Sequence, residues 1–261
     1  MSTKIWAIGD IHGCYRELMA LWKKLLKAGL DPDKDTVVFL GDYMDRGPDG
    51  RKVIAKLIQW KKSYKNFVFL YGNHEDILFD NLARNGALYG QYNWFANGGK
   101  TTYASYGGHF GKELPDGTFE APKQPYFPKT HLDFLFKELV YTYETDKYVF
   151  VHAGLVPNAS IEESKNFPQT LIWAREGFID SDHDWGKKVI FGHSAAYHKR
   201  WGELGQPIIM KNKIGIDGAV CPPGNKNLIA VELPAEKFYF QESFNKMDFL
   251  TEMLLRNARD L

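Results

Sequence analysis

Gly41-Asp42-Tyr43-Met44-Asp45-Arg46-Gly47 follows directly on the apolar run Thr36-Val37-Val38-Phe39-Leu40. The run reads as a buried strand, and Gly41 as the tight turn that ends it. Just beyond sit two carboxylates and a guanidinium. Charge crowded at a strand end is costly unless something compensates, and a bound cation is the usual compensation. Outward from this stretch the pattern recurs. Ile5-Trp6-Ala7-Ile8 leads into Gly9-Asp10-Ile11-His12-Gly13, and Phe67-Val68-Phe69-Leu70-Tyr71 into Gly72-Asn73-His74-Glu75. Val149-Phe150-Val151 runs into His152-Ala153-Gly154, and Val189-Ile190-Phe191 into Gly192-His193. Five strands therefore each end in a metal-capable side chain with a Gly beside it.

Between these strands the apolar spacing turns helical. Leu18, Leu21, Trp22, Leu25 and Leu26 predict a helix over 14–28, closed by Gly29. Val53, Ile54, Leu57 and Ile58 predict another over 49–62, and Ile77, Leu78 and Leu82 a third over 75–84. The first third is thus repeated β-α-β with right-handed crossovers, an α/β arrangement. Its loops leave the carboxyl ends of the strands, where open α/β sheets bind ligands. Residues 86–130, rich in Gly, Tyr and Pro, read as irregular covering structure and a lid. The aromatic run near 89–106 within it reads as lid packing, since no basic residues interleave it. Gly99-Lys100-Thr101 imitates the end of a phosphate-binding loop, but the earlier Gly would fall at Trp94 and no strand precedes it.

A helix is expected at 131–140, and strands at 148–151 and 188–191. Short strands at 213–217, 227–233 and 237–240 suit a second, largely antiparallel sheet packed on the first. An amphipathic helix over 243–258 ends a single domain spanning 1–261. Lys and Arg total 33 against 32 Asp and Glu, so the near-neutral chain is no whole-chain binder of nucleic acid polymers or membranes. No signal peptide or bilayer-length apolar run is present, and a soluble cytoplasmic protein is expected. Cys14 and Cys221 are too few for a disulfide framework and read as reduced thiols.

Side chains two apart on a strand face the same way, so Asp10 and His12 can reach one ion. Asp42 could bridge two ions through its two oxygens, while Asn73 offers an amide oxygen and His152 and His193 offer imidazole nitrogens. This oxygen and nitrogen set, without thiolate, suits Mn²⁺, Fe or Zn²⁺. Two divalent ions would leave the centre net positive, and a phosphate dianion is the natural guest. Ions roughly 3.5–4 Å apart can generate a hydroxide near neutral pH and clamp attacking and leaving oxygens. His74, next to a proposed ligand, should point toward the leaving group as general acid, with Asp45 orienting its imidazole. Arg46 and Arg175 can grip phosphate oxygens through planar forks. Glu75 caps the following helix or supports the site, and Asp217 could do the latter.

The ordered set Gly-Asp-Ile-His-Gly, Gly-Asp-Tyr-Met-Asp-Arg-Gly, Gly-Asn-His-Glu, His-Ala-Gly and Gly-His resembles the phosphoprotein-phosphatase branch of the calcineurin-like metallophosphoesterases. Within that branch the chain is most similar to the bacterial and lambda-phage type. The likeness extends through Ile172-Trp173-Ala174-Arg175-Glu176 and Ile216-Asp217-Gly218-Ala219-Val220. It implies two packed β-sheets flanked by α-helices and a dinuclear centre, usually with Mn²⁺. Asp10, His12 and Asp42 would hold one ion and Asp42, Asn73, His152 and His193 the other. His74 with Asp45 would be the acid pair, and Arg46 and Arg175 the substrate grips. Asn97-Gly98-Gly99 resembles a loop near the site in this group. Many members carry Arg where this chain has Tyr71.

The resemblance implies hydrolysis of phosphomonoesters by metal-activated hydroxide, with phosphoserine or phosphothreonine on proteins as foremost substrate. Hydrolysis of diadenosine tetraphosphate is the alternative. A phospho-binding protein without turnover is the third reading, disfavoured by retention of every ligand together with His74 and Asp45. The sequence carries no signal of oligomeric state.

Overall fold

The first half alternates as its periodicity predicts: β1 (Ile5–Ile8), α1 (Tyr15–Lys27), β2 (Thr36–Phe39), α2 (Gly50–Ser63), β3 (Phe67–Phe69) and α3 (Asn73–Ala83). α1 carries Glu17 in its first turn and Lys24 and Lys27 in its last, matching the helix dipole. The computed structural model describes residues 4–83, 88–109, 111, 121, 123–196, 200–221 and 226–244. Three helices follow: α4 (Leu88–Ala96), α5 (Gly99–Ser105) and α6 (Lys129–Lys137). The segment expected to be irregular is therefore helical over 88–96 and 99–105. Trp94, Thr102 and Tyr103 are buried within it, and tertiary contact outweighs the Gly-rich composition. Residues 86–87, 110, 112–120 and 122 of the expected lid lie outside the described residues, as does nearly all of the helix expected over 243–258.

The second half supplies β4 (Thr142–Glu144), β5 (Tyr148–Val151), α7 (Ile161–Ser164), α8 (Pro168–Trp173), α9 (Glu176–Ile179), β6 (Lys188–Phe191), β7 (Ile208–Ile209), β8 (Lys213–Gly215), β9 (Asn227–Leu233) and β10 (Lys237–Glu242). The strands form two five-stranded sheets, ordered β10-β9-β1-β2-β3 and β4-β5-β6-β8-β7. This corrects the expected segregation of the late strands into a second antiparallel sheet. β9 instead runs antiparallel beside β1, with Ile5 opposite Leu233, and carries β10 into the first sheet. β8 joins β6 in parallel, so the heart of the second sheet is parallel. Both sheets are mixed. Short strands carry no mark of which neighbour they will choose; β9 goes where its two apolar faces are both covered.

Alternation along the strands sets the layers. Trp6, Ile8, Val37, Phe39, Phe67 and Phe69 face α1 and α2, which answer with Leu18, Leu21, Val53, Ile54 and Leu57. Ala7, Val38, Phe150, Ile190, Ile214, Ile229 and Val231 meet between the sheets. Val149, Val151, Val189 and Phe191 lie under Leu171, Ile172 and Phe178 of α8 and α9. The order helix, sheet, sheet, helix follows. It stacks the parallel strands so that the carboxyl ends of β1, β2 and β3 open toward those of β5 and β6.

Candidate metal centre

The loops after β1 and β2 zip together before any side chain acts. Ile11 and His12 donate their backbone N–H to Asp42 O at 3.1 and 2.8 Å, and Gly13 donates to Tyr43 O at 2.9 Å. The chain must turn sharply at each strand end, and five of the predicted site residues take the left-handed backbone that does so. Their φ values are +46° at His12, +52° at Asp42, +67° at Asp45, +65° at Arg46 and +60° at His193. Each such residue costs on the order of 1–3 kcal/mol and persists only where surrounding contacts hold it. Backbone strain is thus concentrated at the residues singled out for chemistry.

Glu75 is the chief of those contacts. It is fully buried, and its carboxylate accepts three backbone N–H bonds at 3.0 Å, from Asp42, Tyr43 and Gly72. Burial and the neighbouring Asp42 push it up to about 8 against the pull of those donors. Asp42 in turn accepts the His74 N–H at 3.0 Å through Oδ1, at the first turn of α3. The strand-end loops of β2 and β3 are locked to each other.

Every predicted ligand lies in this cleft. Asp42 is shared: its Oδ2 is 3.5 Å from His12 Nε2, and its Oδ1 is 3.4 Å from His152 Nε2. Burial alone would raise Asp42, but the imidazoles of His152, His74, His12 and His193 around it hold it well below the usual carboxylate range. Asn73 Oδ1 lies 3.0 Å from His152 Nε2 and 2.8 Å from His193 Nδ1. Asp10 accepts the His193 N–H through both oxygens, at 3.1 and 3.0 Å. A Cβ on Gly192 would fall 2.1 Å from Asp10 Oδ1, so only glycine allows that approach. Burial, then Asp217 and Asp42, raise Asp10 well above its ordinary value.

Two groups of described residues could each hold a cation: His12, Asp42 and His74, and Asp42, His152 and His193. The donor chemistry fits such ions. His12 Nδ1 donates to Met44 O at 3.0 Å and His152 Nδ1 to Leu40 O at 2.7 Å, which leaves both Nε2 lone pairs facing the cleft. Burial is the largest influence on His12, His152 and His193 and lowers all three, opposed by the neighbouring Asp42. His152 Nε2 and Asn73 Oδ1 are then two acceptors facing each other, a contact that a cation reconciles. His193 Nε2 is buried with no hydrogen-bond partner. Asp10, Asp42 and Asp217, all buried, add the crowding of like charge that a cation relieves.

The remaining predicted residues flank this cluster. His74 is fully buried, with Nδ1 2.8 Å from Asp45 Oδ2. Arg46 spans the rings, donating from Nη1 to His12 Nε2 at 2.9 Å and from Nη2 to His74 Nε2 at 3.0 Å. The exposed Arg175 reaches His193 O and Ser194 Oγ, both at 3.3 Å, from the end of α8. Tyr71 is buried against the half-exposed Tyr141, ring centroids 5.3 Å apart.

Sequence reasoning missed two features and placed a third only loosely. Glu75 is expected as a cap or a support of the site, and its triple backbone grip has no sequence mark beyond its place after Gly-Asn-His. The indole of Trp94 reaches Asp45 from the segment read as cover. Cys14 and Cys221 are paired as a disulfide across 207 residues, with Cys221 Sγ 2.9 Å from His12 O. That corrects the reading of two reduced thiols. Spacing along the chain could not reveal the pair, because only the β1–β9 pairing brings the loop before β9 beside the loop after β1.

The family model for calcineurin-like phosphoesterases matches residues 3–221. A symmetrical bis(5'-nucleosyl)-tetraphosphatase of Photorhabdus laumondii is 32% identical over 166 residues, 63% of this chain and 48% of that protein. Serine/threonine-protein phosphatase 1 of Salmonella typhimurium is 36% identical over 96 residues, 36% of this chain and 38% of that protein. The matches thus span about half or less of these two relatives. A protein serine/threonine phosphatase from Saccharomyces cerevisiae has a similar structure, with a TM-score of 0.56 at 16% identity, covering 94% of this chain and 82% of its own.

Proposed function

Because this chain belongs to the calcineurin-like phosphoesterase family, we propose that it hydrolyses phosphate monoesters at a dinuclear centre, foremost phosphoserine or phosphothreonine on proteins. The observation that carries this reading is the convergence of Asp42, His152, His193 and His12 beside the His74–Asp45 pair. Asp10, His12 and Asp42 would hold one ion, and Asp42, Asn73, His152 and His193 the second. The mixed oxygen and nitrogen set supports Mn²⁺. When bound, such ions neutralise phosphate oxygens and make water acidic enough to supply a nucleophile near neutral pH.

The chain's own residues supply the rest. Asp45 accepts the Nδ1 proton of His74 and so aims Nε2 at the cleft; once Arg46 leaves Nε2 for the phosphate, that nitrogen can carry the proton passed to the leaving oxygen. Arg46, poised across His12 and His74, presents a planar fork to the phosphate. Arg175 does the same from the opposite lip, steadied by Ser194. Among the described residues, Ser194 and Thr102 accept from Arg175 and from the Asp45 N–H, and Cys14 and Cys221 are joined to each other, so direct displacement by water is the supported route. A cytoplasmic setting is part of the proposal.

One observation favours a second reading, cleavage of dinucleoside polyphosphates. Tyr71 and Tyr141 form an aromatic pair where the family resemblance places an Arg. An aromatic face suits a base, whereas the missing cation would have gripped a phosphate. A side-by-side assay with Mn²⁺ separates the two, comparing kcat/KM on a phosphothreonine peptide and on diadenosine tetraphosphate, with Asp42→Asn as blank. Peptide preference supports the first reading and nucleotide preference the second. Turnover of neither above the blank would overturn both.

A further inference from the structure

We propose that Trp94 is a positioning residue for proton delivery, setting Asp45 and through it the imidazole of His74. The inference rests on the phosphoesterase reading above and deepens it. The indole Nε1–H lies 3.0 Å from Asp45 Oδ1 and 3.2 Å from Oδ2, while His74 Nδ1 takes Oδ2 at 2.8 Å. Trp94 is 1% exposed and Asp45 and His74 are fully buried, so water does not compete for these bonds. A carboxylate held by a single imidazole can swing about its Cβ–Cγ bond. A second donor on the other oxygen stops that rotation. Indole can only donate, so the contact admits one polarity and keeps both carboxylate oxygens as acceptors.

The surrounding segment is shaped for this contact. A Cβ on Gly99 would fall 2.4 Å from Trp94 Cδ1 and Nε1, so glycine leaves room for the ring. Thr102 Oγ1 accepts the Asp45 N–H at 2.8 Å, and Gly98 O accepts the Arg46 N–H at 3.0 Å. The α4–α5 segment thus grips both Asp45 and Arg46, holding two residues whose left-handed backbone needs external support. It completes the acid side of the site.

Trp94→Phe keeps the ring and removes only the donor. Its effect is read on two esters, phenyl phosphate, whose leaving group needs a proton, and 2,4-dinitrophenyl phosphate, whose leaving group does not. The expected result is a kcat loss of about tenfold or more on phenyl phosphate, part of the 10²–10⁴ that general acid catalysis supplies. KM, metal content and kcat on the dinitrophenyl ester should stay near wild type. Equal losses on the two esters, or none on either, would overturn the positioning role. If wild type hydrolyses neither ester, the phosphoesterase reading itself fails and the role falls with it. Proton NMR of the metal-free protein tests the contact without turnover. The Trp94 indole N–H should exchange slowly and shift in Asp45→Asn; fast exchange like that of an exposed indole would overturn the proposal even if Trp94→Phe fails to fold.

Discussion

His12 and His74 lie edge to face with ring centroids 4.6 Å apart, yet their Nδ1 partners differ. Met44 O accepts from one and the Asp45 carboxylate from the other. The Asp45 carboxylate fixes the His74 ring with Nε2 toward the cleft, the orientation that proton delivery needs. His74→Asn should cut kcat about 10²–10⁴-fold while metal content, read by elemental analysis, stays near wild type. Unchanged turnover would remove the general-acid role. Glu75→Gln should destabilise the fold by about 1–3 kcal/mol in urea unfolding, since an amide N–H₂ must face backbone donors in a fully buried site. The same variant should lose metal occupancy, because Asp42 and Gly72 lose their shared anchor. Retention of both stability and metal would refute the anchoring role. The His74 and Asp45 pair was legible in two short motifs. Glu75's grip was not, since it depends on three N–H groups drawn from two different strand ends.

Among the elements, α6 carries a titratable probe remote from the proposed ligands. His131 is buried and bonded to Tyr106 Oη at 2.8 Å; burial first, and Arg51 second, lower it. Below about pH 6.5 the unfolded chain binds a proton at this histidine that the folded protein resists. Stability contributed here is therefore present above that pH and lost as pH falls toward the folded value, with a slope of at most about 1.4 kcal/mol per pH unit. Urea unfolding at pH 5.5 and 7 should show a smaller drop for His131→Asn than for wild type; an equal drop would contradict the assignment. The Cys14–Cys221 bond ties the start of α1 to the loop before β9. Protein denatured without reductant should show no titratable thiol, and two after reduction, with a lower Tm. Two thiols before reduction would show the pair open. The helical pattern of α1 and α2 was readable because one apolar stripe decides it. The partners of β8 and β9 were not, since a short apolar strand fits many edges.

For the whole molecule the proposed ions would become a stability term. They would bind only where loops from both sheets converge, and would so favour the folded state by mass action. Chelation should abolish hydrolysis and lower Tm, and added Mn²⁺ should restore both. Activity that survives exhaustive chelation would sink the dinuclear reading. Asp42→Asn should lower occupancy of both ions, because its oxygens face His12 on one side and His152 on the other. Loss of one ion only would contradict a bridging role.

The strand-end motifs, the α/β order of the first half and the ten proposed site residues could all be named from local pattern, because a strand followed by Gly and a metal-capable side chain is written in consecutive residues. Layering could be anticipated from alternation, which needs only period two. Three matters belonged to the tertiary structure alone. These are the sheet that β9 and β10 join, the disulfide, and the reach of Trp94 from α4 to Asp45. Each depends on segments far apart in the chain meeting in space, and no local propensity encodes such a meeting. Covering apolar faces brought β9 beside β1, and that pairing carried Cys221 to Cys14. The packing of α4 and α5 over the loop after β2 brought the indole to the carboxylate.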